Sequence, residues 1–169
     1  LRLDADGSVL WADHFGGSQN DFAVNIAADA SGNVYLAGEF LSPDMQIGPF
    51  AFAAASGSVF WSKWDPSGAV QYARQAGGAS PCQLGDFEVS ANGDLVLGGS
   101  YLASQFTVDG LTITNPYYAL GNTSNLFLMR TDAMGEVVWL KGAAQSQQDD
   151  IVHALALNPD SSGYVAGYY

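Results

Sequence analysis

Basic residues are scarce. Lys and Arg together number 5 against 17 Asp and Glu in 169 residues, which leaves a formal net charge of -12. A nucleic-acid partner must be met by a cationic patch that neutralises phosphates, and five scattered bases do not supply one. Anionic membrane surfaces are set aside for the same reason. Long apolar runs are also missing: none approaches the roughly 20 residues that a membrane helix requires, and no basic-then-apolar signal segment opens the chain. Leu1, standing where a nascent chain carries Met, reads as the mark of a processed or excised piece.

Cysteine is nearly absent. Cys82 is single, so no internal disulfide and no two-cysteine metal site can form, and a small buried side chain is the expectation. His14 and His153 stand at non-equivalent places and make no zinc spacing of the His-x-x-x-His or His-Glu-x-x-His kind. There is no Gly-x-Ser-x-Gly elbow and no phosphate-cradling Gly-Lys-Ser/Thr loop. Asn122-Thr-Ser124 fits a glycosylation acceptor, which has meaning only in a secretory eukaryotic setting. With 48% hydrophobic residues the chain can bury a sizeable core, and disorder is not expected.

What the chain does have is a repeat. Leu3-Asp-Ala-Asp-Gly-Ser-Val-Leu-Trp11 returns as Trp64-Asp-Pro-Ser-Gly-Ala-Val-Gln-Tyr72 and as Thr131-Asp-Ala-Met-Gly-Glu-Val-Val-Trp139. Asp4, Asp65 and Asp132 are thereby equivalent, at spacings of 61 and 67 residues. DASGNVYLAG (29–38), SANGDLVLGG (90–99) and NPDSSGYVAG (158–167) keep the same period, with Gly38, Gly99 and Gly167 in register. Between these blocks Met45-Gln-Ile-Gly-Pro-Phe-Ala-Phe52 matches Phe106-Thr-Val-Asp-Gly-Leu-Thr-Ile113.

Inside one repeat the apolar residues alternate with a period of two, as Val34, Leu36, Gly38 and Phe40 do against Tyr35, Ala37 and Glu39. The expectation is four strands per unit, near Asn25–Asp29, Asn33–Phe40, Ser58–Trp64 and Ala69–Gln75, with a small excursion at 45–53. Short strands repeated about every 64 residues and joined by Gly and Asp turns predict an all-β chain of β-propeller blades, each of four antiparallel strands. About two full blades and two partial ones fit: 1–17 as the end of a blade, 18–78, 79–145, and 146–169 as the start of another. Propellers close with about four to eight blades, so the chain is expected to be a segment of a larger propeller or to assemble into a ring.

The order D-x-x-G-N-V-Y-x-x-G, apolar strand, K-x-D-x-x-G, V-x-W and Gly-Gly, carried here by Asp29 to Gly38, Lys63 to Gly68, Val9 to Trp11 and Gly16-Gly17, resembles the bacterial SBBP propeller repeats, which are NHL-like in pattern. The second copy departs from it at Ala76-Gly-Gly78, after which Ala79 and then Ser-Pro-Cys follow, and the third at Ala143-Ala144-Gln145. The resemblance implies a large exported protein, and so an extracellular or cell-surface place.

Candidate chemistry is thin. Asp4-Ala-Asp-Gly7 and its copies lack the alternating Asp set and trailing Glu of a calcium loop and read as turns, with Asp bonding to backbone amides and Gly in the left-handed conformation. Arg2, Lys63 and Arg130 share one repeat column and Arg74 and Lys141 another, which points to structural pairing along strand edges. Asp149-Asp150 is read as a loop leading into a strand, with Asp150 matching Asp21. Trp11, Tyr72 and Trp139 share a column expected to pack between blades. Trp61, Trp64, Tyr117 and Tyr118 are the candidate contact surface, with Tyr168 and Tyr169 in similarly irregular surroundings.

The function expected is a non-catalytic scaffold for adhesion or assembly, with no cofactor and no metal. Its partners are other blades or other protein chains, and glycans in a second reading. That second reading is a carbohydrate-binding module, or a propeller enzyme whose active loops lie elsewhere.

Overall fold

Each Asp-x-x-Gly turn closes in the same way. Asp4 Oδ1 accepts the N–H groups of Asp6 and Ser8 at 3.0 and 2.8 Å, Asp65 Oδ1 those of Ser67 and Ala69, and Asp132 Oδ1 those of Met134 and Glu136. Gly7, Gly68 and Gly135 then take φ of 83, 91 and 80°, which an L side chain resists. The Asp29 turn is built alike, its carboxylate accepting from Ser31, Asn33 and the Tyr35 hydroxyl. These carboxylates are spent on backbone and neighbouring side-chain donors, as turn residues are.

The computed structural model describes residues 1–53, 57–77, 81–121, 123–143 and 147–168. Gly78, Asn122 of the acceptor triplet, Ala144-Gln145 and Tyr169 lie outside the described residues, as do the expected boundaries at 78/79 and 145/146.

The chain is all-β with antiparallel sheets and one short helix. Strands β1 (Arg2–Leu3) and β2 (Val9–Trp11) form a two-stranded sheet. Next come β3 (Asp21–Ala28), β4 (Val34–Phe40), a hairpin of β5 (Met45–Ile47) and β6 (Phe50–Phe52), then β7 (Ser58–Trp64) and β8 (Val70–Gly77), giving a four-stranded sheet in the order β3-β4-β7-β8. The pattern returns with β9 (Cys82–Val89), β10 (Leu95–Tyr101), a hairpin of β11 (Gln105–Val108) and β12 (Leu111–Thr114), helix α1 (Tyr118–Gly121), β13 (Asn125–Thr131) and β14 (Val137–Ala143). Its sheet order is β9-β10-β13-β14. A last pair, β15 (Ile151–Leu157) and β16 (Gly163–Tyr168), repeats the first two strands of a unit.

The first strand of each unit carries a bulge at the same place, where Val24, Gly85 or His153 is the extra residue. The bulge accounts for the glycine column. A Cβ on Gly38, Gly99 or Gly167 would stand 1.9, 2.1 or 2.0 Å from the carbonyl oxygen of Phe22, Gln83 or Ile151. It also accounts for a strand that begins earlier than its alternation foretells: β3 starts at Asp21, whereas the period-two pattern is broken at Val24 and resumes at Asn25.

One core lies between the two four-stranded sheets. Tyr35, Ala37, Val59 and Trp61 of the first meet Leu84, Phe87, Leu95 and Leu97 of the second, with Cys82 among them. A second core covers the other side of the first sheet (Phe40, Met45, Ile47, Phe60, Trp64), and a third joins the second sheet to the last pair (Val96, Leu126, Val152, Leu155). Being covered on both faces, β10 is buried at all seven positions.

Candidate functional site

Successive units meet through one recurring contact. Trp11, on β2, lies over the turn glycine of the next unit: a Cβ on Gly68 would meet its indole at 2.9 Å. Tyr72, on β8, lies over Gly135 in the same way, at 2.6 Å. Trp11 is further fixed by stacking on Trp64, 6.3 Å between ring centroids, and by donating its Nε1–H to the Pro66 carbonyl at 3.0 Å. Glycine is required under each ring both by the turn's positive φ and by the ring itself. Trp11 and Tyr72 of the aromatic column are therefore lids, and the turn glycines Gly68 and Gly135 are their seats.

Polar bonds cross the same seams. Arg2 Nη1 donates to Pro66 O at 2.5 Å, Trp61 Nε1 donates to Gly135 O at 3.0 Å, and Arg74 pairs with Glu136. Lys63 sits 5.2 Å from the centre of the Tyr35 ring, while Arg130 pairs with Asp94 inside its own sheet at 2.7 Å. Nearer the first strands, Glu39 accepts the N–H of Leu84 at the second unit's bulge, at 3.0 Å. Asp86 gathers N–H donors from Asn25 of the unit before and Leu155 of the unit after.

An apolar cleft of about 390 Å³ opens on one face of the first four-stranded sheet. Leu1, Leu3 and Trp11 line one wall, and Ile26, Leu36 and Trp64 the other, with Arg2 and Asp13 as its charged residues. Ile26 is equivalent to Phe87, which is 1% exposed in the core against the preceding sheet, yet Ile26 is 61% exposed.

A smaller, polar cleft of about 240 Å³ lies among β4, β9, β10 and β15, between Glu39, Gln83, Ser100 and His153. Burial lifts the Glu39 carboxyl above the usual glutamate value, and the Leu84 N–H opposes the shift in part. Asp149 accepts the N–H of Ser124 at 2.7 Å, and Asp150 is buried beside it in the chain. Among the described residues, no group of three His, Cys, Asp or Glu side chains is placed to hold a metal ion. No helix among them is long and apolar enough to cross a membrane.

The aromatic candidates separate. Trp61 and Trp64 are 1% and 4% exposed, so neither offers a ring to solvent. They lie on opposite faces of β7, both of which are covered, so the candidate contact surface loses these two rings. Tyr117 and Tyr118 are half-exposed at α1, 53 residues or more along the chain from the two tryptophans. Sequence reasoning found the lids but missed the cleft. Val34, Leu36 and Ile26 were visible as strand residues, while what left them uncovered is a matter of tertiary pairing.

Compared with known proteins, the chain matches no family model and no curated sequence.

Proposed function

We propose that the chain is a run of β-propeller blades serving as a non-catalytic interaction scaffold. On this reading 18–78 and 79–145 are blades of four antiparallel strands, and β1–β2 and β15–β16 are the closing and opening halves of two more. The observation that carries it is the aromatic lid on a turn glycine, made once by Trp11 on Gly68 and again by Tyr72 on Gly135 at nearly the same period. A contact repeated between successive units, each touching its neighbours alone, belongs to radial or stacked repeat architectures. The hydrogen-bond relay through Asp86 links the inner strands in the same sequence, as strands around a common axis would be linked.

Fixed geometry and exposed apolar seams suit a protein that presents surfaces to other chains. The SBBP-like motif order adds the proposal that this presentation occurs outside the cell or on its surface, in adhesion or assembly. The half-exposed Tyr117 and Tyr118 favour, as a second reading, a glycan-binding surface on the α1 side.

Two measurements test the scaffold reading. Small-angle X-ray scattering should give the envelope of a wedge or disc rather than a rod. A glycan array with a panel of glycosidase and esterase substrates should give neither binding nor turnover. Glycan binding lost in Tyr117→Ala or Tyr118→Ala would replace the scaffold with the carbohydrate-binding reading, and a rod-shaped envelope would overturn the propeller.

A further inference from the structure

The polar cleft beside β9 is lined by groups that the fold leaves unmet. Glu39 enters it from β4, Gln83 from β9, Ser100 from β10 and His153 from β15, and neither Lys nor Arg is among its lining residues. Strand β15 closes one side by direct approach, for a Cβ on Gly85 would stand 2.0 Å from the Val152 carbonyl oxygen.

The repeat supplies its own control. Gly38, Gly99 and Gly167 are equivalent, so Glu39, Ser100 and Tyr168, which follow them, hold one position in three units. The same strand therefore forms with an acid, a hydroxyl or a phenol there, and a charge is not what the fold asks of the position. Glu39 Oε1 accepts the Leu84 N–H at 3.0 Å. Ser100, its counterpart one seam on, makes no side-chain hydrogen bond among the described residues, so a seam forms without such a bond.

What remains is a carboxylate with spare capacity. The second oxygen of Glu39 has no partner among the described residues, and no ion pair reaches it, from His153 or from any base. A half-buried anion without a counter-charge is costly, and burial already holds this carboxyl above its ordinary value. Ser100 is 3% exposed and shares the face of β10 that Val96 turns to Val152, which sets its unpartnered hydroxyl at the cleft. The Gln83 amide, on exposed ground beside it, adds a donor and an acceptor.

These groups describe their complement. An anion is repelled by Glu39 and meets no base. Glu39 and His153 are the ionisable side chains lining the cleft, and no group of three such side chains among the described residues is placed to hold a metal ion. A wholly neutral ligand leaves the carboxylate uncompensated, whereas an ammonium supplies both the counter-charge and charge-assisted hydrogen bonds. The volume of about 240 Å³ restricts the ligand to a small molecule.

We infer that this cleft binds a small organic ammonium ion that carries hydroxyl groups, its ammonium on the Glu39 carboxylate and its hydroxyls at Ser100 and Gln83. The inference rests on the cleft's own residues and stands apart from the propeller reading.

Titration of the 169-residue chain at pH 7, followed by amide NMR, tests this with three probes of nearly one size. An aminopropanediol has the charge and the hydroxyls, propylamine the charge alone, and glycerol the hydroxyls alone. The aminopropanediol should move the amide signals of Leu84, Gly85 and Ser100 to saturation, with a Kd on the order of millimolar, as suits so few atoms. Propylamine should bind about threefold more weakly and glycerol about tenfold or more. Glu39→Gln keeps an acceptor for Leu84 and should weaken the aminopropanediol by about tenfold or more, and Ser100→Ala by about threefold, both with the amide spectrum of the folded chain. Asp6→Asn removes one charge from an exposed turn and should leave binding as it is, which separates the cleft from general attraction to a chain of charge -12. Shifts that never saturate or lie elsewhere, glycerol binding as well as the aminopropanediol, or a Glu39→Gln chain that binds like the parent overturns the ammonium site. Propylamine matching the aminopropanediol, or an indifferent Ser100→Ala, overturns the part assigned to the hydroxyls.

Discussion

The side-chain amide of Asn25 donates to Oδ1 of Asp86 across 2.6 Å, and Oδ2 of the same carboxylate accepts the backbone N–H of Leu155 at 2.8 Å. One carboxylate therefore ties the first strands of three successive sheets, and a third donor, the N–H of Phe87, holds it in place at 2.9 Å. Bonds to a charged acceptor are roughly twice as strong as neutral ones, so this residue couples units that otherwise meet through apolar packing.

Asn25 and Asp86 should accordingly be energetically coupled. In a double-mutant cycle with Asn25→Ala and Asp86→Ala, chemical denaturation should return an interaction energy of about 1–2 kcal/mol. Asp86→Ala alone should be the costlier single change, because it also strands the Leu155 N–H. Additive single effects would show that the two side chains act independently.

The bulge column separates two kinds of glycine. Gly99→Ala drives a methyl to 2.1 Å from Gln83 O and 2.7 Å from the Phe127 ring, neither of which can retreat. The expected loss is about 3 kcal/mol, at the upper end of overpacking costs. Gly110→Ala meets open space and bears only the strain of its φ of +78°, about 1 kcal/mol. Thermal melts should rank the two in that order, and equal losses would remove the bulge as the reason for the column.

Asp29 holds the turn before β4 through its bonds to Ser31, Asn33 and Tyr35. Its slight burial raises the carboxyl's pKa, but the bonds from Asn33, Tyr35 and Ser31 outweigh that and leave it below the usual aspartate value. A depressed folded-state value means stability that is present above the unfolded pKa and lost as pH falls through the folded one. Asp29→Ala should cost about 1–2 kcal/mol at neutral pH by the loss of these bonds. The gap between variant and parent melts should narrow as the buffer is taken below the ordinary aspartate range.

Glu39 works in the opposite sense. Burial raises its folded-state pKa above the ordinary glutamate value of 4.5. Between those two values the folded protein binds more proton than the unfolded chain, so stability falls as pH rises and the penalty persists at neutral pH. Glu39→Gln keeps an oxygen to accept the Leu84 N–H and removes the charge. The variant should melt above the parent at pH 7, and the difference should vanish below about pH 4. A variant that melts lower at pH 7 would show that the carboxylate, not its neutral form, suits the site.

The turns were legible in the sequence because Asp and Gly at fixed offsets have one local solution, and Gly7, Gly68 and Gly135 take it in all three copies. The strands of each unit were legible from their alternation, except where Val24 interrupts β3. Which faces are covered was not legible. Alternation distinguishes two sides of a strand without saying that both will be buried, and so Trp61 and Trp64 entered the candidate contact surface although both are buried. The lids over Gly68 and Gly135 required two columns to be matched across different units, about one period apart, which neighbouring residues alone do not announce.

Cys82 sits in the core between the two complete sheets, 4% exposed, with its thiol pushed up to about 12 by burial. It is also the chain's one sulfhydryl. A thiol reagent in neutral buffer thus meets an unreactive, unreachable group until that seam parts. The rate at which label accumulates counts openings between the first and second sheets, which makes the native chain its own stopwatch without any introduced probe.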